Sequence, residues 1–267
     1  MREIRGLLLC AGLGTRLDPL TQHCPKCLVP VGGIPLLEHW LCLLKECELS
    51  EVWINIHHHR DLVEQFIRRE SFRDWVNGVF EKDLLGTAGT LRENARTFLD
   101  CTTFFAHADN WCICDLSEFI RYHLFERPAN TSMTMMTFRT NTPESCGIVS
   151  INDHGVVYDF QEKVAKPKGN LANGAVYLIE PEVVEWVKSH HGSTDFSTEV
   201  IPHFLGQIAT WENTGTHRDI GVVDSLLEAQ SDGIPETCLG RGESWHEIYE
   251  ANPIHDQLAS LLSIRNG

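Results

Sequence analysis

Apolar and polar residues along this chain fall into two alternating periods. Ile4–Cys10 is an apolar run leading into a glycine, the pattern of a buried strand. Pro35 suits the first turn of a helix whose apolar positions include Leu37, Trp40, Leu41 and Leu44. Glu51–Ile56 reads as a second strand, and Asp61 opens a helix with Val63, Phe66 and Ile67 on one face. Trp75–Glu81 is expected as strand, Thr87–Phe98 as helix, Thr103–Ala108 as strand and Leu116–Phe125 as helix. This alternation predicts an α/β fold, a mainly parallel central sheet flanked by helices.

The second half is richer in strands. Ser132–Arg139, Gly147–Ile151 and Val156–Gln161 are short candidates, and Asn152-Asp153-His154-Gly155 fits a hairpin turn. Ala172–Ile179 follows, then a helix from Glu182, a helix over Val223–Gln230 and a helical tail over Trp245–Ile264. Repeats, low-complexity segments and linkers are lacking in the sequence. Ligands of such sheets bind beyond the carboxyl ends of the strands. That rule singles out the glycine loop after the first strand, and Asp109 after Thr103–Ala108.

Composition narrows the function classes. Lys and Arg number 22 against 37 Asp and Glu, a net charge of −15, which opposes general binding to nucleic acid or an anionic membrane. A small anionic substrate stays open, since a few local cations and a metal reverse the field locally. No apolar run reaches membrane-span length, and the N-terminal apolar stretch is short for a secretory signal, so a cytoplasmic location is expected. The ten cysteines are then expected mainly as small buried hydrophobes.

The loop Gly12-Leu13-Gly14-Thr15-Arg16-Leu17 has two glycines of a dinucleotide fingerprint, but Leu17 replaces the third, and no Walker A lysine follows. Two glycines after a strand let backbone N–H groups approach an anion, and Arg16 and Lys26 add positive charge. A tight turn with two solvated cations is the alternative. Cys24 and Cys27 form a C-x-x-C, but zinc needs two more ligands and Cys112-x-Cys114 has unsuitable spacing. They flank Pro25-Lys26, so a thiol reagent is expected to block Lys26 sterically. His57-His58-His59 point different ways on extended chain and do not converge on one ion.

The whole stretch Leu7–Leu41, LLLCAGLGTRLDPLTQHCPKCLVPVGGIPLLEHWL, resembles the signature of the sugar-phosphate nucleotidyltransferases, and the similarity continues to about Gln230. The mannose- and heptose-1-phosphate guanylyltransferases are the most similar branch. The resemblance implies a Rossmann-like catalytic domain over 1–231: a nucleotide-binding half to about 130, a sugar-phosphate half over 131–231, and a C-terminal helical extension over 232–267. It implies that Ala11, Gly12, Gly14 and Thr15 wrap the phosphates, with Arg16 on the leaving phosphates and Lys26 by the α-phosphate. Gly86, Thr87 and Gly89 of the L-G-T-A-G segment would lie against the base; capping of a helix by Gly86 or Thr87 is the local alternative. Asp109 and Asp219 would hold Mg²⁺, with Ala108 and Val222 departing from the family pattern. Gly147, Glu162, Lys163 and Asn173 would face the sugar phosphate.

The activity implied is transfer of a nucleotidyl group from an NTP, GTP favoured, to a sugar 1-phosphate, with Asp109, Lys26 and Arg16 as catalytic groups. Thymidylyl, uridylyl or cytidylyl transfer, onto a sugar or another phosphate, is the alternative. A silent regulatory homologue would be expected to lose these charged residues. An NDP-sugar glycosyltransferase would need a D-x-D motif that Asp109-Asn110-Trp111 does not supply. Glu199 and Arg218 are weaker candidates for substrate contact. The C-terminal tail is open to a homodimer contact or to packing on its own domain.

Overall fold

A computed structural model describes residues 3–234 and 243–266. In chain order it contains β1 (Ile4–Leu9), β2 (Pro30–Val31), β3 (Ile34–Pro35), α1 (Leu36–Glu46), β4 (Glu51–Ile56), α2 (Arg60–Ile67) and β5 (Val76–Phe80). Next come α3 (Thr87–Glu93), β6 (Thr102–His107), β7 (Asn110–Ile113), α4 (Leu116–Phe125), β8 (Met133–Arg139), β9 (Gly147–Ile151), β10 (Val157–Glu162) and β11 (Leu171–Ile179). The last are α5 (Pro181–Ser189), β12 (Ile208–Glu212), β13 (Thr216–Asp219), α6 (Val223–Ala229), α7 (Ser244–Glu250) and α8 (Ile254–Asn266). The protein is thus α/β, with helices flanking a large, mostly parallel central sheet, the class that the alternation predicts.

Elements with strong periodicity fall within a residue or two of their expected bounds. The helix expected over Thr87–Phe98 ends at Glu93 and gives way to a 3₁₀ turn at Ala95–Thr97. The tail is two helices, broken at Asn252-Pro253, because proline cannot continue the first. Of the expected extension over 232–267, residues 235–242 and 267 lie outside the described residues. Pattern reading misses the two-residue strands β2 and β3, where Pro35 ends β3 just before α1, and it misses β7, β12 and β13. The last is a polar Thr-His-Arg-Asp segment that is strand only because a distant segment pairs with it.

The chain divides into two compact units. One comprises Met1–Leu7, Leu85–Ala106 and Cys114–Gly215; the other comprises Leu8–Leu84, His107–Ile113 and Thr216–Gly267. In the first unit β11 is the hub, antiparallel to β6, β8 and β9, while β12 runs parallel to β8. The β9–β10 hairpin turns where expected: Gly155 has φ +71°, the left-handed conformation that glycine adopts without strain. Phe105, Tyr177 and Phe196 pack together in its core with ring centroids 4.9–6.1 Å apart.

In the second unit β4 and β5 pair in parallel, and β7 and β13 pair antiparallel. The apolar stripes of α1 and α2 are buried as their spacing predicts, including Leu37, Trp40, Leu41, Val63 and Phe66. Their packing also buries a charge. The Arg69 guanidinium bonds the Glu38 carboxylate at 2.6 Å, with both side chains at 2% exposure or less, and reaches Glu243 at 2.5 Å. It lies over the rings of Phe66, Phe72 and Trp245, so this cation is held by both carboxylates and aromatic faces.

Two stability predictions arise here. Removing one partner of a buried pair leaves an uncompensated charge, so Glu38→Ala should cost about 3 kcal/mol in urea unfolding even with Glu243 in place. His39 is buried, and burial pushes its imidazole down to about 4 despite the hydrogen bond to the Val31 carbonyl. The unfolded chain therefore takes up this proton as pH falls from about 6.5, whereas the folded chain does so only near 4. Stability should fall across that window by at most roughly 1.4 kcal/mol per pH unit from this group. His39→Gln should flatten that slope in urea midpoints measured between pH 7 and 4.5.

Candidate active site

The glycine loop leaves β1 under control of a residue the sequence reading did not single out. Asn55, buried near the end of β4, accepts hydrogen bonds from the amides of Cys10 (2.6 Å) and Ala11 (3.2 Å). Its amide nitrogen donates to the buried Glu81 carboxylate at 3.1 Å. The readable signal is a lone amide inside the apolar run Val-Trp-Ile-Asn-Ile. Because the Ala11 amide is already engaged, the loop offers itself to solvent from Gly12 onward. A side chain at Gly12 would meet nothing within 4 Å. Gly14 is different: its φ is +66°, and a Cβ there would lie 2.9 Å from Thr21 and 3.0 Å from Lys26. The Gly14 carbonyl is held by Leu17 N and the Thr21 hydroxyl, so this glycine shapes the turn that exposes Thr15 and Arg16.

Sequence-distant charges meet beside that loop. The Lys26 ammonium lies 2.6 Å from Asp109 Oδ2 and 3.4 Å from Asp219 Oδ1, and Arg16 reaches Asp219 at 3.9 Å. The β7–β13 ladder is the cause: Asn110 pairs with Asp219, and Ile220 N donates to the Asp109 carbonyl at 3.1 Å. Trp40 Nε1 anchors the same strand through the Asn110 carbonyl at 2.8 Å. Gly221 lets the groups close, since a Cβ there would come within 2.7 Å of Asp219 and 2.8 Å of Arg16.

Electrostatics follow from this packing. The Lys26 side chain is 8% exposed, whereas Asp109 and Asp219 are 30% and 59% exposed, so a sheltered cation faces one half-buried and one exposed carboxylate. Burial alone would raise the Asp109 carboxyl, but the Lys26 ammonium, His107 and the Lys26 hydrogen bond hold it below the usual carboxylate range. Burial pushes the neighbouring His217 imidazole down to about 4 against the pull of Asp109, keeping it neutral near pH 7. Among the described residues no cluster of three or more His, Cys, Asp or Glu could hold a metal. Two convergent carboxylates that already hold a cation nonetheless fit a hard divalent ion. Such an ion needs few protein oxygens when phosphates and water supply the rest.

The thiol expectation requires correction. Cys24 and Cys27 are free thiols at 1% exposure, so a bulky reagent does not reach them, and burial raises the Cys24 thiol further from ionisation. Cys47, Cys114 and Cys146 are the partly exposed described thiols; Cys238 lies outside the described residues. His57 and His59 are bound to backbone carbonyls of Glu81 and Thr21, which explains them without a metal.

The first unit carries the remaining residues. Gly86 precedes α3 with φ +76°, and a Cβ there would lie 2.3 Å from the Thr194 carbonyl oxygen. Ala88 N donates to that carbonyl at 3.0 Å, and the Thr87 hydroxyl accepts from Phe196 N at 2.6 Å. No side chain caps α3; Thr87 braces the 194–196 turn instead. A Cβ at Gly89 would lie 3.1 Å from Leu85. Glu199 closes the turn from its other side, accepting from the amides of Thr194 and Asp195, both at 2.6 Å. These bonds hold its carboxyl below the usual range. In the second unit, Arg218 is occupied by Glu228 and Asp232.

Gly147 pairs with Glu162 across β9–β10, and a Cβ on it would come within 2.5 Å of the Glu162 carboxylate and 2.7 Å of Phe160. Lys163 follows at φ +48°, its amide bonded to the Cys146 carbonyl and its exposed ammonium 3.6 Å from Glu162. Asn173 lies at a break in the β11 register. It donates to the buried Tyr177 hydroxyl at 2.7 Å and accepts from Ala175 N at 2.9 Å. Gly147, Glu162 and Lys163 therefore form one solvent-reaching group, and Asn173 is fixed by its own strand.

Residues 5–234 match the family model described as nucleotidyl transferase. The chain is similar to the UTP–glucose-1-phosphate uridylyltransferase of Synechocystis sp. at 28% identity over 200 residues, 70% of this chain and 51% of that protein. It is 28% identical over 230 residues to the mannose-1-phosphate guanylyltransferase catalytic subunit beta of Drosophila melanogaster, 84% of this chain and 61% of that one. A D-glycero-alpha-D-manno-heptose 1-phosphate guanylyltransferase of Campylobacter jejuni is 26% identical over 180 residues, 67% of this chain and 77% of that one. The chain spans about half to three-fifths of the length of the first two relatives. A solved structure from Bacillus anthracis, described as a glucose-1-phosphate thymidylyltransferase, shares the fold with a TM-score of 0.77 at 21% identity, over 88% of this chain and 98% of that one. Its Lys26, Asp109 and Asp219 meeting within the matched region, the chain belongs to the nucleotidyl transferase family.

Proposed function

We propose that this protein transfers a nucleotidyl group from an NTP to a sugar 1-phosphate, releasing pyrophosphate. The observation that carries the reading is the sheltered Lys26 ammonium between Asp109 and Asp219, with Arg16 on Asp219, beside an open glycine loop. Joining two polyanions requires fixed positive charge at the reacting phosphorus, and a preorganised cation supplies it without reorganisation. Lys26 stabilises the α-phosphate as charge develops, and Arg16 holds the leaving pyrophosphate. Gly12, Gly14 and Thr15 approach the phosphates along the backbone, with Ala11 at the foot of the loop. Gly86, Thr87 and Gly89 flank the base. Lys163 binds the sugar phosphate and Glu162 the sugar hydroxyls; Gly147 and Asn173 complete that side. The phosphate oxygen of the sugar attacks in line, with no covalent enzyme intermediate.

Asp109 and Asp219 would hold Mg²⁺, which when bound neutralises phosphate charge. In this reading residues 1–231 are catalytic, with nucleotide groups drawn mainly from 1–130 and sugar groups from 131–231. GTP is the favoured nucleotide, supported by similarity to two guanylyltransferases; a uridylyl relative makes UTP the second reading. The reading carries a cytoplasmic location, where NTPs are made, and leaves a homodimer to solution measurement. Among the described residues no helix is long and apolar enough to cross a membrane.

A pyrophosphate-release screen of the common NTPs against sugar 1-phosphates, with and without Mg²⁺, tests the reading; no release from any pair would sink it. With the active pair, Lys26→Ala and Asp109→Asn should each lower kcat by roughly 10²–10³, as for other preorganised charges. Near wild-type turnover in either folded variant would remove that residue from the chemistry. Gly86→Ala must displace the Thr194 carbonyl and adopt a strained φ, so it should lose about 1–3 kcal/mol of stability in urea unfolding and raise KM for the NTP.

A further inference from the structure

The stretch that carries Lys26 has little regular structure of its own. Between His23 and Gly32 it holds the two-residue strand β2, paired with β3, and one 3₁₀ turn, closed by Leu28 N to the Pro25 carbonyl (2.8 Å) and Val29 N to the Lys26 carbonyl (3.2 Å). α1 holds its far end, Leu36 N bonding the Val29 carbonyl and His39 the Val31 carbonyl, both at 3.0 Å, and the carbonyls on either side of Lys26 are bonded from the C-terminal segment. The Tyr249 hydroxyl donates to the Leu28 carbonyl, two residues from Lys26. Asn252 Nδ2 donates to the His23 carbonyl at 3.1 Å, three residues away on the other side. Gln230 brackets the stretch further on, donating to the Pro30 carbonyl at 2.9 Å and accepting from Gly32 N at 3.0 Å.

These donors are themselves held. Tyr249 is buried, its ring stacked on Trp245 at 4.7 Å, and Trp245 meets Phe66 of α2 edge-on at 5.1 Å. Burial raises the Tyr249 phenol well above its ordinary range, so it stays a donor at any working pH. Asn252 Oδ1 accepts from Ile254 N at 3.0 Å, which turns its amide nitrogen toward His23. The family match ends at residue 234, so α7, α8 and the Asn252 turn between them lie beyond the matched region while gripping the turn that carries Lys26.

We propose that Tyr249 and Asn252 are positioning residues for Lys26, and that the α7–α8 segment is a brace fixing the ammonium between Asp109 and Asp219. Its catalytic consequence rests on the reading of Lys26 as the group at the α-phosphate. Each bond grips the backbone on one side of the lysine, so losing both loosens the turn, whose own 3₁₀ bonds and the Leu36 N bond to the Val29 carbonyl remain, without touching the lysine or the carboxylates. Displacement of a charged group by a fraction of an ångström is enough to weaken its effect on a transition state.

The test is the double variant Tyr249→Phe/Asn252→Asp in the full chain. Phenylalanine keeps the stack on Trp245, and aspartate keeps the acceptor for Ile254 N while setting a carboxylate oxygen, which the His23 carbonyl repels, in place of the amide donor. Backbone amide exchange should quicken over residues 23–29 and stay unchanged over 102–113. Labelling of Lys26 by a small amine-directed ester, followed by peptide mass, should also speed up. With the active substrate pair, kcat should fall roughly tenfold while both KM values stay within about twofold. The single variants should fall between. Unchanged exchange and labelling at 23–29 would overturn the brace, as would quickened exchange with unchanged kcat. Exchange quickened equally at 102–113, with a matching loss of urea midpoint, would show a merely structural role and also overturn it. A wild-type protein that releases no pyrophosphate would refute the reading of function, while exchange and labelling would still decide the brace.

Discussion

A lysine sheltered from water and facing two carboxylates is the constraint around which the second unit is organised. Lys26 has little solvent to stabilise its charge, so it depends on Asp109 and Asp219. The carboxylates depend in turn on the lysine, since two acidic groups so close would otherwise repel. The arrangement requires that three distant parts of the chain arrive together: the turn after the glycine loop, the end of β6 and the end of β13. The β7–β13 ladder brings the acids side by side, and the 3₁₀ turn at Lys26 brings the base.

Much of the rest of the unit serves that meeting. Asn55 ties off the first amides of the loop, and Gly14 packs against the lysine stem. Gly221 is small because a carboxylate and a guanidinium occupy the space a side chain would fill. Arg69, between Glu38 and Glu243, repeats the same principle with the opposite exposure. Its carboxylates are largely buried, so the pair joins elements, whereas Asp109 and Asp219 open to solvent and can accept a ligand.

The glycines divide by what surrounds them. Gly86 and Gly147 are confined by backbone or by a carboxylate, so local packing already explains them. Gly12, like Gly33 and Gly206, has open space where its side chain would be, so local packing does not demand a glycine there. The sequence shows all of these as glycine, and only the neighbours separate the roles. In the same way Glu199, Arg218, His57 and His59, which invite functional readings as symbols, are committed to a turn, to ion pairs and to backbone carbonyls.

The sequence by itself determined the α/β class, because strand and helix periodicity is local and each buried stripe repeats at the spacing of its own element. It also marked Arg16 and Lys26 through a signature carried in contiguous residues, Asp109 through its place after a strand, and Asp219 through a separate short resemblance. Tertiary structure alone decided which of these groups meet. It made a strand of Thr216–Asp219, since a polar tetrapeptide has no strand signal until β7 lies beside it. It also buried Cys24 and Cys27 on either side of Lys26 and set Tyr249 and Asn252 against the Leu28 and His23 carbonyls. Those outcomes depend on pairing and burial between residues far apart in the chain, for which composition and spacing carry no signal.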